Sequence, residues 1–442
     1  MKKIISQVKK DITISTSAQN VKLKIANEAF DLVKNQIKNY SEIVDIEFGG
    51  SFAKDTWLPN DADIDIFIKF KTETSEENFE KISKKIGFAA LKKYSPYVRY
   101  SEHPYVEASI KKTKINIVPC YDVNNGEWKS AADRTPFHTK FMMKNLNENM
   151  KNEVKVLKKF LKSNKIYGAE IARQGFSGYI SEVLIYNFKT FENLIEKMCN
   201  IKENQVIGIT NKKFDTSIVI VDPIDKNRNL AAAISNQNIG KFVMLCRAFQ
   251  NNPKISYFKI QKSKISKKFW KNLLSVRFDF SDRSPDIIWG QVKRASSTLA
   301  TQLDLGGFDV LRNGAFVEKK QAYLFFMLKE IEISKIHSKI GPEFFRKDAT
   351  DNFVKKNISS TEMIWINHEN KIISLENRKY IEADKFLQFL IKTNLDKGIP
   401  KGLKKDFQKG FKIFVGKQNF SKSIKEAANE IISSDEILLY SN

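Results

Sequence analysis

The sequence predicts an α+β multidomain protein: a mixed-sheet domain over 1–150, a helical domain over 151–265 and an α+β region over 266–442. Three observations lead there. The 442 residues, at roughly 100 to 200 per domain, suffice for about three cores. Apolar residues alternate in short runs through the first third, then recur at helical spacing from Asn147. Beyond Leu274 a strand, a helix and a hairpin follow in order.

Taken along the chain, Ala18–Tyr40 reads as a helix, with Val21, Leu23, Ala26, Ala29, Phe30, Val33 and Ile37 near a 3.6 spacing. Ile43–Phe48 and Asp63–Phe70 alternate as strands, joined to the next pair by a crossover helix over Ser75–Tyr94. Val106–Ile110 and Lys114–Val118 form a hairpin closed by Lys111-Lys112-Thr113. From Asn147 to Asn200 the pattern is helical, interrupted at Tyr167-Gly168-Ala169-Glu170. A short strand, Ser217–Val221, breaks at Asp222-Pro223, and a helix over Asn227–Asn251 stops before Pro253. Then come a strand, Leu274–Phe280, a helix, Asp286–Leu303, and a hairpin of Phe308–Val317 with Ala322–Ile333, with a Gly341-Pro342 turn beyond.

Composition narrows the function. Lys and Arg total 75 against 51 Asp and Glu, a net charge of +24, which points to a polyanionic partner. Lys254–Lys271 holds seven lysines and no acid, and reads as an interdomain surface. Lys397–Lys417 holds seven lysines against Asp406, interleaved with Phe407, Phe411 and Phe414, which fit core positions better than stacking platforms. No apolar run approaches the roughly 18 residues that span a bilayer, and no apolar signal core follows Met1, so a soluble, cytoplasmic protein is expected. Cys120, Cys199 and Cys246 lack any paired spacing and are expected as core thiols; four scattered histidines form no metal-ligand pair.

The chemistry concentrates in Gly49-Gly50-Ser51 and Asp63-Ile64-Asp65. Side chains at i and i+2 share one face of a strand, so the two acids point together while Ile64, Ile66 and Ile68 face the core. Adjacent carboxylates repel unless a cation joins them, and hard oxygen donors suit Mg²⁺, which also takes phosphates. Gly50 lets backbone N–H groups approach a phosphate, with the Ser51 hydroxyl beside them. An isolated Asp-x-Asp is more often a surface feature; the Gly-Ser turn twelve residues before it makes the pair specific.

These residues resemble the nucleotidyltransferase superfamily, which includes poly(A) polymerases and oligoadenylate synthetases, and within it the archaeal, class I tRNA CCA-adding enzymes. The resemblance extends through His103-Pro104-Tyr105-Val106, Ile117-Val118-Pro119-Cys120-Tyr121, Ala132 to His138, Ile166 to Glu170, Gly175 to Tyr179 and Val221 to Asp225. It implies a nucleotidyltransferase catalytic domain, a helical central domain and an α+β C-terminal RNA-binding region. It further implies a tRNA 3′-hydroxyl attacking the α-phosphate of CTP or ATP, Mg²⁺ as cofactor, and no membrane partner. By this resemblance Asp63 and Asp65 are catalytic metal ligands. Gly50, Ser51, Lys54, Thr135, His138 and Lys162 fall on nucleotide-contacting positions, and Arg228 where an arginine distinguishes C and A from other bases.

Two positions depart from the family pattern. The third catalytic carboxylate is matched by Asn116, an amide that can reach a metal through a neutral oxygen but cannot accept a proton. Ile171 stands where relatives place a tyrosine. Asn116 is a tolerated variant, an introduced substitution, or the mark of an RNA-binding homologue with weakened catalysis; the intact acids favour an active enzyme. A poly(A) polymerase or oligoadenylate synthetase-like transferase is the alternative, separated by its product. The sequence leaves the oligomeric state open, a homodimer included.

Overall fold

A computed structural model describes residues 1–59, 61, 63–100, 103–260 and 267–434. The chain divides into two compact units, one up to Lys262 and one from Ser263 to Ser434. The lysine run 254–271 straddles this division, and its residues 261–266 lie outside the described residues, as do Asn60 and Ala62 of the acidic motif.

The first unit opens with a helix the sequence did not announce, α1 (Lys2–Asp11), whose Ile5 and Val8 enter the core. α2 (Thr16–Ile37) starts where the Ser15 hydroxyl accepts from the Ala18 N–H, satisfying one orphan donor of the first turn. Its buried stripe is Ile25, Ala26, Ala29 and Val33; Val21 and Leu23, expected within that stripe, are exposed. A five-stranded sheet follows, built from β1 (Ile43–Gly49), β2 (Ile64–Phe70), β3 (Tyr97–Arg99), β4 (Tyr105–Ile110) and β5 (Thr113–Tyr121), with spatial order β1-β2-β5-β4-β3. A four-residue helix, α3 (Gly50–Ala53), leaves β1. α4 (Glu76–Ala90), capped by Ser75, makes the crossover that lets β2 and β5 run parallel. It packs so closely that a Cβ on Gly87 would lie 2.5 Å from the Val106 Cβ.

β4 and β5 form a two-residue hairpin with Lys111 and Lys112 both at positive φ (48° and 67°), so Thr113 pairs with Ile110 rather than belonging to the turn. Alternation works as expected on β2: Ile64, Ile66 and Ile68 enter the core with Ala108, Ile110, Ile115 and Ile117.

The helical part comprises α5 (Arg134–Asn145), α6 (Glu148–Ser163), α7 (Gly178–Phe188), α8 (Phe191–Cys199) and α9 (Asn236–Asn251). Asn147, Ser177, Thr190 and Ser235 cap the last four, each side chain accepting a backbone N–H. Phe160 is ringed by Phe191, Phe249 and Phe258 at centroid separations of 5.4 to 5.8 Å. Such aromatic pairs add about 0.5–1.5 kcal/mol each beyond burial. A small sheet of β6 (Gln205–Ile207), β7 (Ile218–Asp222) and β8 (Asp225–Asn229) lies beside them. The helix expected from Asn227 begins only at Asn236. Asp-Lys-Asn-Arg-Asn has no apolar period, and the Asn229 side chain accepts from Ile220 and Ala231 N–H groups, tying this stretch to β7. All three cysteines are buried free thiols.

The second unit carries β9 (Leu273–Asp279), α10 (Pro285–Leu305), β10 (Val310–Glu318) and β11 (Gln321–Leu328) in the expected order. With β15 (Phe411–Val415) the strands form a sheet ordered β10-β11-β9-β15. A second sheet joins β12 (Ile336–Glu343), β13 (Thr361–Ile366) and β14 (Lys371–Asn377). Gly341-Pro342 is not a turn: it sits inside β12 at a register irregularity, the place where a strand tolerates a residue without an N–H. The remaining helices are α11 (Lys347–Asn357), α12 (Ala383–Thr393), α13 (Leu395–Gly398), α14 (Lys404–Lys409) and α15 (Lys422–Ile432). Phe407 is core, packed on Phe278 at 4.2 Å between ring centroids, and the lone acid of the lysine-rich tail, Asp406, is buried against Arg283 at 2.6 Å. No helix among the described residues is long and apolar enough to cross a membrane.

Candidate active site

The strand registers assemble one row across the first sheet: Gly49 pairs with Asp65, Asp65 with Asn116, Asn116 with Glu107 and Glu107 with Tyr97. Directly paired residues share a face, so this row lies opposite the isoleucine core. Asp65 is half-buried and Asp63, the residue just before β2, is exposed. The Asn116 amide Nδ2 donates to Asp65 Oδ1 at 2.8 Å, while its Oδ1 is buried without a hydrogen-bond partner. Burial pushes both carboxyls up from their ordinary range. At Asp65 the Asn116 hydrogen bond opposes this and the Asp63 charge adds to it; at Asp63 Lys114 opposes it. Two carboxylates and an orphaned carbonyl oxygen form an all-oxygen set that fits a hard divalent cation, which would also keep both acids ionised.

Gly50, directly after β1, has φ +66°, a conformation side chains avoid, and a Cβ there would collide with the Asp65 carboxylate. Gly50 and Asp65 are therefore packed against each other. Ser51, on α3, is half-buried, and its carbonyl accepts from Thr56 N–H at 3.0 Å.

Lys54, expected on the triphosphate, is itself buried. Its Nζ lies 2.5 Å from Glu182 Oε2, and Thr56 Oγ1 donates to Glu182 Oε1 at 2.6 Å. Lys158 Nζ donates to the Thr56 carbonyl at 2.9 Å and stands 3.5 Å from Glu182. Burial lowers the Lys158 ammonium to about 8, against the pull of Glu182. Two lysines thus share one fully buried acid, a surplus of positive charge. This network joins the segment after β1 to α6 and α7.

His138 and Arg228, distant in sequence, meet on Asp222. His138 Nε2 lies 3.0 Å from Asp222 Oδ2, Arg228 donates to the same oxygen at 3.1 Å, and the Tyr179 hydroxyl donates to Oδ1 at 2.8 Å. The imidazole stacks on Tyr179 at 3.7 Å, and burial holds His138 below its ordinary pKa in spite of Asp222. The side chain of Arg228 remains 40% exposed. Lys54 lies 5.6 Å from the Tyr179 ring centre, linking this group to the Glu182 network. Thr135 sits half-buried in the first turn of α5, one turn before His138. Lys162 is apart: it pairs with Asp61 and covers the Tyr167 ring at 4.7 Å. Ile171 lies half-buried in the turn after Glu170.

Glu107, Glu182 and Lys158 were not singled out from the sequence; Tyr179 and Asp222 lay in motifs that carried the resemblance, Asp222 also as a possible ion-pair partner of Arg228, which it is. Glu182 carried a signal, an acid alone in the apolar run Tyr-Ile-Ser-Glu-Val-Leu-Ile; so did Asp222, which ends an apolar strand before proline. Lys158, inside a lysine-rich amphipathic helix, carried none.

Three family models match in succession: a nucleotidyltransferase domain over residues 31–141, a tRNA nucleotidyltransferase second domain over 152–259 and a CCA-adding enzyme C-terminal domain over 271–416. Among solved structures, a cytoplasmic RNA terminal U-transferase is similar with TM-score 0.44 and 11% identity, covering 59% of this chain and 98% of that one; so loose a likeness adds nothing to the assignment. The CCA-adding enzyme of Saccharolobus shibatae is 32% identical over 345 residues, 77% of this chain and 82% of that protein. That of Methanocaldococcus jannaschii is 32% identical over 377 residues, 80% and 83% of the two. With three family models matched in succession and relatives 32% identical over 77% and 80% of its length, the chain belongs to the CCA-adding enzyme family.

Proposed function

We propose that this protein adds C, C and A in turn to the 3′ end of tRNA, drawing on CTP and ATP without a nucleic-acid template and releasing pyrophosphate. The observation that carries the reading is the sheet row that sets Asp65 between the Gly50-Ser51 turn and Asn116, whose Oδ1 is buried without a hydrogen-bond partner, with Asp63 two residues before Asp65. Mg²⁺ held by Asp63, Asp65 and Asn116 would supply Lewis-acid charge at the α-phosphate. Gly50 and Ser51 receive the triphosphate, with the surplus charge of Lys54 and Lys158 behind it. Thr135, His138 and Arg228 orient sugar and base, burial keeping His138 neutral while Asp222 aims both it and Arg228. Lys162, tied to Asp61 and Tyr167, serves the same nucleotide only if that ion pair opens. In this reading residues 1–150 carry the chemistry, 151–265 complete the nucleotide site, and 266–442 grip tRNA in the cytoplasm.

Incubation with Mg²⁺, labelled CTP or ATP and tRNA ending before CCA tests this. A defined CCA end is expected. An open-ended or 2′-linked adenylate chain would assign the protein to the other transferases, and no addition would leave only RNA binding. Asp63→Ala and Asp65→Ala should each abolish addition; near-normal addition by either would refute the metal assignment.

A further inference from the structure

Asn116 leaves the ion site one negative charge short of a three-acid set, and the structure holds a further acid beside it. Glu107 is the direct cross-strand partner of Asn116 and, through it, the next member of the row that starts at Asp65. Adjacent strands are about 4.8 Å apart, so its backbone is one strand spacing from Asn116 and two from Asp65, on the same face. The side chain is 5% exposed, held by the Tyr97 hydroxyl and, at 3.3 Å, by Arg99 Nε. Arg99, at 42% exposure, is partly in solvent, where its charge is screened more than that of the buried carboxylate. Both charges reach Asp63, the Glu107 carboxylate acting on it more strongly than the opposing Arg99 guanidinium. A buried acid on an interior strand needs a reason beyond a half-solvated ion pair worth little in itself.

We propose that Glu107 restores the third negative charge of the ion site, acting as a positioning residue from the place next to Asn116. Asn116 then contributes a neutral oxygen and Glu107 the charge, a division of what one aspartate would do alone. This rests on the proposed nucleotidyl transfer, and it predicts that the two positions compensate.

The test compares wild type, Glu107→Gln, Asn116→Asp and the double variant in the full-length chain. Mn²⁺ binding is read by electron paramagnetic resonance with a non-hydrolysable CTP analogue present, alongside CMP incorporation and thermal melting. Loss of a supporting carboxylate typically costs roughly 10- to 100-fold in metal affinity or activity, and that loss is expected for Glu107→Gln in both Mn²⁺ affinity and kcat, with KM for tRNA unchanged. Asn116→Asp in the same background should recover Mn²⁺ affinity. Wild-type Mn²⁺ affinity in Glu107→Gln overturns the inference, as does a lowered melting temperature with no recovery in the double variant, the signature of a purely structural role. Were wild type to add no CMP while Glu107→Gln still lost Mn²⁺, the function would fall and the role of Glu107 would stand. With CCA addition intact and Glu107→Gln indistinguishable from wild type, the reverse holds.

Discussion

Glutamine at position 182 would leave two ammonium groups facing each other in a buried site with no counter-charge. Glu182 accepts from Lys54 at 2.5 Å and Thr56 at 2.6 Å and lies 3.5 Å from Lys158, and all three side chains are nearly inaccessible. Breaking a buried pair by removing one partner costs about 3–5 kcal/mol, because the remaining charge is stranded. At about 2–4 °C per kcal/mol for a unit of this size, the melting temperature at pH 7 should fall by roughly 6–20 °C. The pH dependence has a definite sign. Burial holds Lys158 at about 8, below its ordinary 10.5, so between these values the unfolded chain binds more protons and stability from this group rises with pH. Glu182→Gln removes the attraction that keeps the ammonium charged, so the gap to wild type should narrow as pH is raised from 7 to 9. Thermal melts of both proteins at the two pH values provide the measurement. A variant melting within about 2 °C of wild type at pH 7, or a gap that does not narrow, would refute the buried network.

Three further outcomes follow from other parts of the molecule. Because burial holds His138 below its ordinary pKa, it should be neutral at pH 7 and, by NMR, titrate below 6.5; Asp222→Asn removes the group that opposes this and should lower the midpoint further, whereas a rise would contradict the geometry. Lys111 and Lys112 both hold positive φ in a two-residue turn where Asn-Gly is preferred, so replacing them with Asn-Gly should raise stability by about 0.4–1 kcal/mol in denaturant melts, and destabilisation would exclude this turn. The tRNA dissociation constant should rise steeply with salt, its log–log slope reporting roughly 0.7–0.9 per phosphate neutralised, and salt-independent binding would contradict a lysine-driven grip.

Much of the site was legible in the linear sequence. Asp63-Ile64-Asp65 declared itself because a strand's two-residue period is local: the acids had to share a face once Ile64, Ile66 and Ile68 took the other. The resemblance supplied Ser51, Thr135, His138 and Arg228, and the structure shows what holds two of them, Asp222, which no local pattern tied to His138, 84 residues away. Lys54 looked like a free phosphate contact; its pairing with Glu182 crosses 128 residues and depends on how α7 packs.

The hairpin shows the boundary most clearly. Sequence alone placed strands on both sides of Lys111-Lys112-Thr113, but a three-residue loop would have set Ala108 against Asn116. The two-residue turn sets Glu107 there. A slip of one residue reverses every side chain on a strand, so local alternation determines that faces exist, and only register decides which residues meet on them. The strands, the apolar cores and the paired acids were the sequence's own. The parallel pairing of Asp65 with Asn116, the shared acid between two lysines and the row that brings in Glu107 arose from packing between segments far apart in the chain, where no periodicity reaches.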